Sequence, residues 1–529
     1  MSWTAWLGLA ALVTGMAAQT AVEPGRDWWH TVQLLAGDNM EGRLTGSEGY
    51  RRAAEYVAAE FQRDGLQPAG VEGYLQPVRF DAQRVLAEQS HITLADSAGG
   101  VPLIPGGDLI LGSRLPQPKE ISAPLVFVGY GLHIPSAGCD DFQGIDLKGK
   151  IIVSMNGGPA NIPGPIKSSS RAAQDMTPFL EGRGVVGMIS IPNPKSMDIP
   201  WARMALSASQ PGMWLADADL QNSRGPMFTA IFNPQSAEKL FAASGHSYQE
   251  LRSLADAGKP LPGFPLHGTI HAQVATRSET VESSNIAGVL PGSDPQLKNE
   301  YVVFSAHLDH LGIGEPIHGD KIYNGAMDDA SGVASEIEVA RELHAGGAKL
   351  KRSVLFLVVC GEEKGLLGSR YFAGRPTVPR ERMVADLNTD MFLPLYPLQE
   401  LVVYGGEESS LGPEMSAVAA AVGVKVIPDR EPDRNIFIRS DQYNFIRAGV
   451  PAVMPAFAAE PGSPQQKIQS EWLANRYHAP SDDANQPVDL AAAAKFNGIM
   501  RAFLEKVAND PNRPLWNSSS VFKRLATQQ

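Results

Sequence analysis

A chain of 529 residues is too long for one ordinary hydrophobic core and is expected to hold two or more domains. Hydrophobic residues at 43% and charged residues at 19% argue against disorder, and a formal net charge of -12 without a long run of one sign argues against a nucleic-acid-binding surface. The two cysteines, Cys139 and Cys360, cannot build a disulfide framework and are expected as free thiols.

The N-terminal stretch SWTAWLGLAALVTGMAAQ is apolar, uncharged and ends in small residues, the pattern of a signal peptide with cleavage near Ala17 or Ala18. Residues 1–18 are read as that signal, although the usual basic start is missing and an uncleaved anchor is the alternative. No other segment approaches the ~20 apolar residues of a membrane span. The mature protein is therefore expected to be soluble and exported, periplasmic or secreted, without stable membrane association.

Residues 27–83 contain an amphipathic helix in which Tyr50, Ala54, Val57, Ala58 and Phe61 recur at helical spacing. Ser47 suits its N-cap and Gly65 its end. The segment carries no obvious chemistry. Residues 84–283 change character: short β-type runs such as LVFVGYGL, KIIVSMNG and GVVGMISI alternate with loops rich in Gly, Pro and Ser. This stretch reads as a β-rich domain inserted into an α/β one. His267 and His271 within it lack supporting carboxylates and are read as structural or surface residues.

From residue 284 strands alternate with helices: YVVFSA, a helix from Asp329 to about His344, SVLFLVVC, GLLGSRYF, MVADLN, LVVYGG, SAVAAAVG and GVPAVMPAF. That order implies α/β architecture, a mainly parallel mixed sheet flanked by helices over 27–83 and 284–507. Residues 508–529 read as a polar, mobile tail after a last helix from about Leu490 to Val507.

Candidate chemistry collects at the strand ends, where open α/β sheets keep their sites. His307 ends the first strand, with Asp309 beside it, and Asp328 opens the following helix. Glu362 and Glu363 follow SVLFLVVC, Asp390 follows MVADLN, and His478 lies in the late loop RYHAPSDD. Taken singly, each is more often a turn or cap residue. Their recurrence at successive strand ends points instead to a divalent metal site, and imidazole with carboxylate suits zinc. One carboxylate can bridge two ions about 3.5–4 Å apart. The adjacent glutamates repel unless a cation sits beside one of them, leaving the other to take a proton from water.

The motifs HLDH, NGAMDDASG, GEEKGLLGS, LNTDM, RSDQYNF and RYHAPSDD, in this order, resemble the M28 family of co-catalytic zinc peptidases. The likeness covers roughly 30–82 and 284–507, and LVFVGYGL…DLKGKIIV resembles the protease-associated (PA) domain inserted in many members. The resemblance implies the zinc-peptidase, phosphorylase/hydrolase-like fold and two zinc ions per chain. It makes Asp328 their bridge, His307 and Asp390 the ligands of one, and Glu363 and His478 those of the other. Glu362 becomes the general base, and Asp309 orients His307 through its second ring nitrogen. His310 and His318 are left without a metal role. Gln442 stands where the family often has His, a departure that removes no ligand.

Peptides are the implied substrates, and an aminopeptidase is preferred. The alternatives are a glutamate-carboxypeptidase-like enzyme or dipeptidase, a glutaminyl cyclase, and a non-catalytic binding protein. Arg430, Arg434 and Arg439 could hold a substrate carboxylate, but pairing with Asp429, Glu431 and Asp433 is the simpler reading.

Overall fold

The computed structural model describes residues 23–96, 99–197, 199–242 and 244–526, so the expected signal at 1–18 lies outside the described residues. Two large sheets organise the chain. The larger is mixed, with its site-bearing strands parallel: Tyr301–His307 runs between Ser353–Val359 and Met383–Asn388, and Ala452–Phe457 continues beyond the latter. Antiparallel strands complete it on both sides, Thr276–Leu290 and Leu75–Val85 on one and Glu400–Tyr404 on the other.

The run of Val, Leu and Phe in Ser353–Val359 explains its central place. Val354, Phe356 and Val358 face one buried core, and Leu355, Leu357 and Val359 the other. A strand apolar on both faces has to be covered on both. Helices Arg26–Leu35, Glu48–Arg63, Ser331–Ala345 and Leu490–Asn509 contribute to the first core, and Leu367–Gly374 and Gln442–Arg447 supply Phe372 and Phe445 to the second. Ser47 caps Glu48–Arg63 by accepting from the Tyr50 N–H at 3.1 Å, and the chain leaves that helix through Gly65 at φ 74°.

The second sheet is eight-stranded and built from segments between His91 and Gln273, with a parallel centre of Glu120–Val128, Ile151–Met155, Gly187–Ile191 and Phe228–Phe232. It has its own core around Phe127, Phe228 and Phe232. One strand departs from the expectation of a wholly separate insert: Gly212–Leu215 leaves the smaller sheet and pairs with Leu75–Val85 at the edge of the larger one.

The C-terminal stretch also differs from its reading as a mobile tail. Trp516 donates to the Gly449 carbonyl at 2.9 Å, and Phe522, 1% exposed, packs edge-on against Phe437. Aromatic burial holds in place a segment whose polar composition suggested none. No helix among the described residues is long and apolar enough to cross a membrane.

Candidate metal centre

The parallel strands deliver their carboxyl ends to one spot. The His307 Nε2 lies 3.2 Å from Asp328 Oδ1 and 3.6 Å from Asp390 Oδ1. The His478 Nε2 lies 3.2 Å from Asp328 Oδ2 and 3.3 Å from Glu363 Oε2. Asp328 thus faces both imidazoles, one with each carboxylate oxygen, and stands between two donor groups.

The donors fit a cation. The His307 Nε2, Asp328 Oδ2, Glu363 Oε1 and Asp390 Oδ1 are buried and have no hydrogen-bond partner. Native interiors rarely leave such atoms orphaned unless an ion or ligand satisfies them. Two compact groups of potential ligands share Asp328: His307 with Asp390, and His310 with Glu363.

His310 is the residue that sequence reasoning missed. It is fully buried, and its Nδ1 lies 2.8 Å from Glu363 Oε1. Its ring packs edge-on to that of His478, 5.7 Å away. The two imidazoles therefore flank the Glu363–Asp328 pair, and both belong to the donor set. Gly325 makes room for His310: at φ 62°, a Cβ there would lie 2.5 Å from the ring. By contrast, His318 sits in an exposed hairpin turn, away from the cluster.

Asp309 supports the site differently from the expectation. Its backbone carbonyl, 3.0 Å away, meets His307 Nδ1, whereas its nearest carboxylate oxygen is 4.0 Å distant. That carboxylate instead accepts from the Glu362 N–H at 3.1 Å and the Thr45 hydroxyl at 2.9 Å. It thereby fixes the start of the Glu362–Glu363 segment. Asp329, next to the shared donor, accepts from the Gly332 N–H at 2.9 Å and the Met391 N–H at 3.3 Å. It caps the following helix and ties it to the Asp390 segment. Gln442 accepts from the Asn388 amide at 2.8 Å, staying in the bracing beneath the site.

Two further supports come from unexpected places. Arg43, fully buried, donates to the carbonyls of Leu35, Leu308, Asn324 and Gly325, clamping the His307 and Asp328 loops together. Asp482 accepts from the Met327 N–H at 3.0 Å and the Asp328 N–H at 3.1 Å. The phrase RYHAPSDD thus contributes a positioning carboxylate as well as His478.

The electrostatics separate the paired glutamates. Burial raises Glu362 well above the usual carboxylate range, with Glu363 and Asp390 adding to the effect and His307 opposing it. Burial pulls Glu363 the same way, but His478 and His310 outweigh it and hold Glu363 well below that range. For His478, burial is outweighed by Glu363 and Asp328, which push it up to about 10. Neighbouring acids driven apart in this way divide naturally into a charged donor and a proton carrier.

With this geometry in place, residues 285–504 match the profile of peptidase family M28. The chain carries an M28 peptidase domain. An aminopeptidase from Aneurinibacillus sp. strain AM-1 shares the fold, with a TM-score of 0.55, 18% identity, and coverage of 92% of this chain and 95% of that one. The probable leucine aminopeptidase 2 of Aspergillus oryzae is 26% identical over 303 residues, 53% of this chain and 55% of that protein. Carboxypeptidase Q of Homo sapiens is 22% identical over 365 residues, 68% of this chain and 64% of that protein. The match to the Aspergillus protein thus spans little more than half of its length. Within the M28 domain lie His307, His310, Asp328, Glu362, Glu363, Asp390 and His478. Arg43 and Thr45, which brace it, lie well before it in sequence.

Proposed function

We propose that this protein is an exported di-zinc aminopeptidase that releases N-terminal residues from peptides. The observation that carries this reading is the pair of donor groups sharing Asp328, with Glu362 beside them. Zinc, when bound, would activate water and polarise the scissile carbonyl. Asp328 would hold both ions, His307 and Asp390 one, and Glu363 with His478 and His310 the other. Glu362, raised by burial, takes the proton from the attacking water and passes it to the leaving amine, a role worth on the order of 10²–10⁴ in rate. Export rests on the N-terminal pattern alone, and the 84–283 segment is read as a PA-like insert.

A cavity of about 420 Å³ beside Asp328, Glu362 and Asp390 supports the aminopeptidase direction. Leu393, Val402, Ile427, Met454 and Phe457 give it an apolar wall for the N-terminal side chain, and Asp429 adds a carboxylate suited to an α-ammonium, Glu431 being paired with Arg434. Of the arginines that could have held a carboxylate, Arg430 pairs with Glu460 at 2.8 Å and Arg434 with Glu431 at 3.1 Å.

Two measurements test the reading. Glu362→Gln is expected to keep the parent's zinc content while losing at least about 10²-fold in kcat; an active variant would remove Glu362 from the mechanism. A peptide with a free N-terminus is expected to be cleaved and its N-acetylated form spared. Equal cleavage of the two would sink the aminopeptidase direction.

A further inference from the structure

A second cavity, of about 700 Å³, opens on the same donors from between the 84–283 segment and the M28 domain. Arg114, Asn156, Arg171 and Trp214 line it from the insert, and Lys364 and Arg370 from the domain. Among the described residues it meets the first cavity at Glu362, Arg434, Arg439, Tyr477 and His478. A peptide laid across those shared residues therefore has one end in each cavity.

The charge of the second cavity is one-sided. Among its described lining residues the acids are Glu362 and Glu363, both at the donor cluster, against Arg114, Arg171, Lys364, Arg370, Arg434 and Arg439. Part of that positive charge is engaged locally. Arg171 donates to the Gly157 carbonyl, Arg370 to Asn222, and Arg434 pairs with Glu431. Lys364 is different. It is 5% exposed and has no hydrogen-bond or salt-bridge partner among the described residues. Arg114, facing the same space from the insert, makes one long hydrogen bond of 3.4 Å to the Glu363 carbonyl. The carboxylates of Glu363 and Asp309 lie near the Lys364 ammonium but make no ion pair with it, burial outweighs them, and Arg114 adds a second positive charge, a setting that favours an anion in the cavity.

We propose that this cavity is a subsite for a carboxylate on the leaving-group side of the cleaved bond, bound by Lys364 and Arg114. The proposal rests on the peptidase reading and deepens it. The acid-lined cavity takes the free N-terminus and the base-lined one takes the carboxylate, so the substrates are short peptides or peptides acidic just beyond the first bond. The insert then contributes to specificity through Arg114.

Paired substrates test this and separate the two sources of carboxylate. Leu-Gly-Gly against its C-terminal amide reads a terminal carboxylate; Leu-Glu-amide against Leu-Gln-amide reads a side chain. The zinc-loaded enzyme is expected to show about a tenfold higher kcat/KM for the carboxylate member of at least one pair. In Lys364→Met that preference is expected to fall to within about twofold. Arg114→Met, which changes a residue of the insert and gives up only one long hydrogen bond to the donor segment, provides the same reading if Lys364→Met does not fold. Equal rates within both pairs for the parent enzyme, or a preference that survives both substitutions, would overturn the subsite and leave the peptidase reading intact. No cleavage of any of the four peptides would overturn the peptidase reading and the subsite with it.

Discussion

The two halves of the donor set are built on different foundations. His307 is the last residue of a strand bonded on both sides to parallel neighbours, and Asp390 follows shortly after one of those neighbours. The other half leans on loops. Glu363 lies beyond the end of Ser353–Val359, and His478 sits in an irregular segment with 21% of its side chain exposed. His478 is steadied by Tyr477, whose ring lies 4.1 Å from its own, and its segment is tied to the Met327–Asp328 backbone through Asp482. Sheet hydrogen bonding therefore fixes the first half in advance, whereas the second depends on a loop that must be held. Preorganised donors bind metal more tightly than donors that have to be gathered.

The most severe way to break this comparison removes its shared member. Asp328→Asn is expected to lose metal from both halves and reduce turnover at least about 10³-fold, with metal content read by elemental analysis after dialysis. A variant retaining full metal content would refute the shared role. Next in size is the contrast itself. His478→Ala is expected to drop the metal stoichiometry from two towards one and to regain activity with excess zinc, while His307→Ala regains none. If both variants respond alike to added zinc, the two halves are equivalent.

A smaller effect is expected from the supports. Asp482→Ala frees the N–H groups of Met327 and Asp328, the donor common to both halves, and should weaken zinc binding about 10–100-fold in both. Competition with a chelator would measure it, and unchanged affinity in both halves would remove Asp482 from the supports. The smallest prediction is a control far from the centre. Burial lifts the Asp64 carboxyl from 3.8 to about 6. Its folded value lies above its unfolded one, so this group's stabilising preference for the neutral acid is full below 3.8 and lost as pH rises through about 6. Asp64→Asn should raise the thermal midpoint by about 2 °C at pH 8, with the gain shrinking towards pH 4, and leave zinc content unaltered. A gain independent of pH would show that charge is not its cause.

The strand-held half was the more legible in the sequence. Apolar runs ending in His307, Glu362 and Asp390 announce themselves because a buried strand and the polar residue after it are both local patterns. The α/β alternation was readable for the same reason. His310 was not, since its contact with Glu363 spans more than fifty positions and nothing in HLDH marks which histidine turns inward. Arg43 gave no signal at all, because four carbonyl acceptors drawn from three separate segments have no signature in one. Asp309 was recognised as support, but backbone and side-chain roles cannot be told apart from a residue name. The Gly212–Leu215 pairing escaped for a further reason: four residues carry too little pattern to reveal which sheet they join.

That last strand has a consequence for anyone who would trim the molecule. Residues 84–283 begin and end on neighbouring strands of the larger sheet, which invites their removal and replacement by a short hairpin. Removing them would also strip Leu75–Val85 of Gly212–Leu215 and leave an open row of amide and carbonyl groups along that border. Such borders recruit other chains. A shortened protein would therefore tend to self-associate along that border, and a solubility screen of it would report on the missing strand rather than on the missing subsite.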